Sequence, residues 1–147
     1  AENVVQPSTE QDISDLLEWT PPEKIKQEYP TYLSGYDYEN RPVIVILTGK
    51  WDTRRVVEED GQDLKDLLRI NDQFIERVKN GYYRRRVNES DRGSTDDEIV
   101  LIIDYDGFDF RQFQSQKNTK HAMKFFENLE SCYDKIAYGF IVNANSL

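Results

Sequence analysis

Cysteine and histidine each occur once in this sequence, as Cys132 and His121, and glycine only seven times. One thiol rules out an internal disulfide and a thiolate zinc cage, both of which need several cysteines, and favours a reducing, cytoplasmic compartment. The glycines are scattered, and neither GxGxxG nor GxxxxGK[ST] occurs, so no glycine-rich loop can bring backbone N–H groups onto a nucleotide phosphate. No apolar run approaches the ~20 residues a membrane-spanning helix needs. Positive charge is also short, with 19 Lys and Arg against 28 Asp and Glu and a net charge of −9. That balance argues against sequence-independent binding to nucleic acid or to an anionic membrane. The one basic cluster, Arg84, Arg85 and Arg86, follows a helical stretch, where cations complement the helix dipole, and a phosphoinositide contact there is the weaker reading. There is no initiator Met and no signal-peptide pattern, so the chain is expected to be an excised fragment or a processed product. The sequon Asn88-Glu89-Ser90 matters only in a secreted protein. No metal and no cofactor is expected.

What is present is a run of alternating element types. Asp12 to Trp19 places Ile13, Leu16 and Leu17 at helical spacing, Pro21-Pro22 ends that helix, and Pro22 to Tyr29 restarts another with Pro22 at a permitted first position. Tyr32 to Asp37 reads as an extended entry to a turn at Tyr38-Glu39-Asn40. Val43 to Thr48 follows as a continuous apolar run, the pattern of a strand covered on both faces. Leu64, Leu67, Leu68, Asn71, Phe74, Ile75 and Val78 then recur at i, i+3, i+4 and i+7, which predicts a strongly amphipathic helix stopped by Asn80-Gly81. A polar connection from Tyr82 to Glu98 leads to a second strand, Ile99 to Asp104. A helix is predicted from Ser115 to Cys132, with Ala122, Phe125, Phe126, Leu129 and Tyr133 on one stripe, and a third strand over 138–144. Helix, strand, helix, strand, helix, strand calls for crossovers, and hence an α/β fold with a largely parallel sheet flanked by helices. At 147 residues one domain is the default.

The chemistry-bearing candidates are few. Cys132 reads as a buried small hydrophobe. His121, eleven residues earlier and about three helical turns away, sits among Lys117, Lys120 and Lys124 and is expected at the surface. Asp104 and Asp106, at the exit of the second strand, have the spacing of a nucleophile and acid pair for phosphoryl transfer. They lack a hydroxyl two residues on, where Phe108 follows Gly107, and no later strand ends in acids to hold Mg²⁺. A calcium loop fails because Gly107 stands fourth in the run and residue twelve is Ser115, not glutamate. The favoured account is architectural: Asp104 accepts backbone hydrogen bonds where the strand ends, and Gly107 supplies a conformation other residues resist.

Four stretches taken in order, Tyr29 to Ile46, Gly49 to Val57, Ile99 to Phe113 and Tyr138 to Ala144, resemble the CRAL-TRIO lipid-binding family. That family includes retinaldehyde-binding, tocopherol-transfer and phosphatidylinositol-transfer proteins, and an Asp-x-x-Gly after the second strand, matched by Asp104 to Gly107, recurs in it. The resemblance implies a non-enzymatic fold in which a sheet floors an apolar pocket, helices wall it, and a mobile helix gates one lipid. Carried over position by position, the pocket-facing residues are Leu68, Ile103, Phe110, Phe125 and Leu129, with Ile99 and Leu101 added because strand alternation puts them on the face of Ile103. Residues 1–28 are expected to be a remnant of the family's helical lobe and 29–147 a partial domain. Asn143-Ala144-Asn145-Ser146-Leu147 lacks the family's Pro and Trp, and the gate helix and last strands are expected beyond that point. Uncovered floor residues predict a homo-oligomer if 147 residues are the whole molecule.

The resemblance therefore implies a carrier that binds a small hydrophobic ligand or lipid, exchanges it at a membrane surface touched transiently, and uses no nucleic acid. A lipid-free interaction module on the same fold is the alternative. An Asp-dependent phosphohydrolase is the remote one.

Overall fold

The computed structural model describes residues 9–85 and 97–144. Thr9 opens the first helix, α1 (Glu10–Glu18), through a reciprocal cap: the Asp12 N–H donates to the Thr9 hydroxyl and the Thr9 N–H to the Asp12 carboxylate, at 3.1 and 3.0 Å. The cap moves the start ahead of the predicted Asp12. After Pro22 comes α2 (Glu23–Glu28), then β1 (Thr31–Tyr36) and β2 (Pro42–Ile46). A 3-10 turn over Thr48–Lys50 leads to α3 (Thr53–Glu59) and α4 (Gln62–Lys79). Strand β3 (Ile99–Asp104), a 3-10 turn at Phe110–Gln114, α5 (Gln116–Glu130), a further 3-10 turn at Tyr133–Lys135 and β4 (Ile136–Val142) complete the order.

Among the described residues the sheet has four strands where the sequence pattern predicts three, in the order β1-β2-β3-β4. The added strand is the extended entry, which pairs antiparallel with β2, while β2, β3 and β4 are parallel. β1 lacks a strand's signature because it is an edge whose residues are all exposed apart from the half-buried Gly35. The structure is thus α/β with a largely parallel sheet flanked by helices, as the element order implies.

Register fixes which residues share a face. Ile44 pairs with Leu101, and Ile46 with Ile103. With Ile99 they form one apolar face that packs against Phe74, Ile75 and Val78 of α4, Leu129 of α5 and Cys132. On the opposite face runs the row Tyr32, Val45, Ile102, Phe140. Within that row only Val45 is buried, and Phe140 is 55 % exposed, although Val100 on the same face is buried too. The prediction of cover on both faces holds for the face that meets α4 and α5 and not for the flanks of the other.

A second apolar cluster, Ile25, Tyr29, Val56 and Leu67, ties α2 and α3 to α4. α1 is held differently, since none of its residues is buried. Its C-terminal carbonyls are bound by α4 instead: the Gln73 amide donates to Leu16 and Trp19 at 2.9 and 2.6 Å, and the Arg77 guanidinium to Leu17 at 3.0 and 2.7 Å. These bonds satisfy carbonyls that a helix end leaves without partners. α4 ends as predicted at Asn80-Gly81, where the Tyr82 N–H donates to Arg77 O and the Gly81 N–H to Val78 O. Arg84 and Arg85 follow it, the first paired with Asp97 at 3.2 Å and the second lying over the Tyr36 ring at 4.7 Å. Arg86 and the sequon at Asn88 lie outside the described residues.

Candidate functional site

Where β3 ends, Asp104 does the work expected of a turn anchor. One of its carboxylate oxygens accepts the Asp106 N–H and the Asn143 side-chain amide, both at 2.9 Å. The Asn143 amide, and then the Asp106 N–H, hold its carboxyl below the usual range. Gly107 takes a φ of +79°, and Gly49 is pressed so closely by the Tyr105–Asp106 backbone that no side chain fits there. The spacing that suggests phosphoryl transfer is therefore occupied by a strand terminator. Among the described residues, no group of three His, Cys, Asp or Glu could hold a metal ion.

That turn throws the chain over the end of the sheet. Tyr105 and Phe108 meet edge to face at 5.4 Å, and Phe108 stacks obliquely on Phe113 at 5.1 Å. A polar collar binds this loop to the helices. Thr53 donates to the Asn118 carbonyl oxygen at 2.7 Å, the Asn118 amide to Gln112 Oε1 at 3.1 Å, and the Arg54 N–H to the same oxygen at 3.0 Å. The Gln112 amide reaches the Asp52 carboxylate at 2.8 Å, which itself caps α3. Under the collar lies a cavity of about 110 Å³. Its sheet side is Ile46 and Ile103, its helix side Asn71, His121, Ala122, Phe125 and Phe126, and Trp51, Phe108 and Phe113 close the end. None of its lining residues is Asp, Glu, Lys or Arg.

His121 is thus not the surface histidine that its lysine neighbours suggest. It lies on the stripe of Asn118, Ala122 and Phe125, and burial pushes its pKa down, so the ring is neutral near pH 7. Cys132 is fully buried, as expected, and burial raises its pKa. A second hollow, of about 790 Å³, lies between α1, α4 and α5. Asp12, Asp15, Asp72, Glu76 and Glu127 line it, with Arg69 and Lys79 as the only bases. It is a charged groove.

The residues carried over from the family resemblance fall in three places. Ile103 and Phe125 line the apolar cavity. Ile99, Leu101 and Leu129 are packed in the adjoining core between the sheet and the helices. Leu68, 43 % exposed, and Phe110, 59 % exposed, stand apart from both. Leu68 follows the buried Leu67 by 100° of helix rotation, which takes it off the inward face. The sequence pattern does not reveal Trp51, Phe108 and Phe113, which separate turns bring to one cavity, nor the place of Asn71 in its wall.

A family model described as the CRAL/TRIO domain matches residues 26–147. The chain belongs to the CRAL/TRIO family. Members of that family are known for binding small lipophilic ligands. The match begins within α2, takes in the whole sheet and the apolar cavity, and leaves α1 outside. No described helix is long and apolar enough to cross a membrane.

Proposed function

We propose that this CRAL/TRIO domain binds one small lipophilic molecule at the cavity between α5 and the end of the sheet, and exchanges it at a membrane surface without catalysing a reaction on it. The observation that carries the reading is a partly open cavity whose walls are largely apolar and aromatic, with no charged lining residue, the composition that ligand sites for apolar molecules favour. At about 110 Å³ it is smaller than the roughly 300–1,000 Å³ of ordinary ligand pockets. A lipid must therefore widen it. Ile103 and Phe125 make the first contacts in this proposal. Ile99, Leu101 and Leu129 become floor as α5 moves outward, and Leu68 and Phe110 would join only at the outer margin.

The test is extraction of the purified protein with organic solvent, or native mass spectrometry, followed by uptake from vesicles of mixed lipid. A lipophilic molecule at about one per chain is expected. Ala122→Leu, which fills the cavity from α5, should lower uptake at least tenfold while the fold persists. Protein that is empty as purified and takes up nothing overturns the reading. The alternative, a lipid-free interaction module, is favoured by Phe140 and Ile141 on β4, 55 % and 60 % exposed. It predicts a protein partner and no change in partner binding in Ala122→Leu.

A further inference from the structure

A third hollow, of about 360 Å³, lies where the link between α1 and α2, the start of β1 and the residues after α4 meet α4 itself. Its size falls within the roughly 300–1,000 Å³ of ordinary ligand pockets. Trp19, Tyr29, Phe74, Tyr82 and Tyr83 line it, and the last two rings meet edge to face at 5.7 Å. Its charged lining residues are Lys26 and Arg77 against Glu18. In a chain with a net charge of −9 this pocket therefore has a positive balance.

Arg77 is its unusual member. Arg41, Arg54, Arg55, Arg84 and Arg111 each have a carboxylate between 2.6 and 3.2 Å away. Arg69, Arg77 and Arg85 form no ion pair with a described residue, and of these Arg69 and Arg85 are exposed while Arg77 is half-buried. The Arg77 guanidinium donates to the Leu17 carbonyl and lies over the Tyr82 ring at 4.2 Å. These contacts orient the cation without neutralising it. A cation drawn partly out of water with no opposite charge beside it is costly, and a bound anion would relieve that cost. Lys26, exposed on α2, reaches only Glu23, at 3.9 Å.

We infer that this pocket binds a small aromatic carboxylate, with the anion on Arg77 and Lys26 and the ring among Trp19, Tyr82 and Tyr83. The site is separate from the cavity of the proposed function and does not rest on it. A guanidinium presents a planar fork that matches a carboxylate, and aromatic walls favour a flat apolar body. Two positive charges against one negative leave a balance of one, which suits a monoanion. A phosphate monoester carries nearly twice that charge and would stay partly uncompensated. A cationic ligand would meet Arg77 and Lys26 as like charges.

Phenylacetate, phenylacetamide and phenethylamine carry the same ring with a negative, a neutral and a positive end. Binding is followed by NMR titration near neutral pH with the two indole N–H resonances as reporters, because Trp19 lines this pocket and Trp51 the cavity beside the sheet. Phenylacetate should shift the Trp19 resonance and bind about fivefold more tightly than phenylacetamide, the worth of an ion pair that water partly screens. Phenethylamine should bind least. Arg77→Lys, which keeps the charge and loses the fork, should remove most of the preference. Lys26→Gln, at an exposed side chain, should lower it about twofold and keeps the test available if Arg77→Lys releases α1. Phenylacetamide binding as tightly as phenylacetate overturns the inference, as does tightest binding by phenethylamine or no binding by any of the three. A shift at Trp51 with Trp19 unmoved places the ring in the other cavity, which overturns this site and leaves the proposed function standing. A preference unchanged in both variants makes Arg77 and Lys26 structural residues and overturns their assignment.

Discussion

The groove between α1, α4 and α5 encloses about 790 Å³ and the cavity beside the sheet about 110 Å³, yet the smaller hollow is the one built to exclude charge. Both use α4 and α5. They differ in what stands on the third side: α1, which buries no residue and is held by hydrogen bonds to its carbonyls, or the end of the sheet with its cap of aromatic rings. Where a helix docks through polar bonds, space is left for water. Where strands meet rings, the space left is apolar, and volume alone would have pointed to the wrong place.

The sharpest way to break this contrast is to truncate one aliphatic residue on each side. Ile103→Ala removes a buried residue from the wall shared by cavity and core, and should cost about 2–5 kcal/mol in denaturant unfolding. Leu16→Ala, in the half-exposed lining of the groove, should cost less than about 1 kcal/mol. Equal costs would mean that α1 belongs to the same cooperative core as the sheet.

The same contrast explains what the sequence shows and what it hides. β3 and α4 are legible because an unbroken apolar run and a full amphipathic period each report a buried face. α3 passes unnoticed, since Val56 and Val57 are adjacent and one pair sets no period, although Asp52 is its cap. β1 is hidden because an exposed edge strand has no buried face to report. The cavity is harder still: Trp51, Phe108 and Phe113 come from three turns, and no local pattern says that they meet. His121 misleads for the opposite reason. Lys117, Lys120 and Lys124 surround it in sequence, but the helix turns Lys117, Lys120 and Lys124 to solvent while His121 points inward with Phe125.

Acid should separate the two hollows by sign. His121 has a folded pKa below the usual 6.5 of histidine because burial penalises the charged ring. Above that value both folded and unfolded states carry it neutral, and its contribution is fully present. As pH falls through 6.5 toward the lower folded pKa, the unfolded chain takes up the proton first, and stability falls until the folded protein is protonated too. Melting temperature measured between pH 8 and 5 should decline more steeply in the wild type than in His121→Gln. Parallel curves would place the histidine in solvent after all.

Asp72, in the groove, should respond the other way and by less. Burial, and then the charge of Glu76 one turn along, raise its pKa above the usual 3.8 of an aspartate, with Arg69 opposing. A raised carboxyl binds its proton more readily in the folded state, so stability increases as pH falls through the folded pKa toward 3.8. At neutral pH the ionised Asp72 is therefore a small liability, of the size of a like-charged i, i+4 pair, about 0.2–0.5 kcal/mol. Asp72→Asn should raise the melting temperature slightly at pH 7, and the gain should vanish near pH 4, where the wild-type carboxyl begins to be neutral. A gain that persists at pH 4 would have to come from packing rather than charge, and the groove would then have more in common with the apolar cavity than its lining suggests.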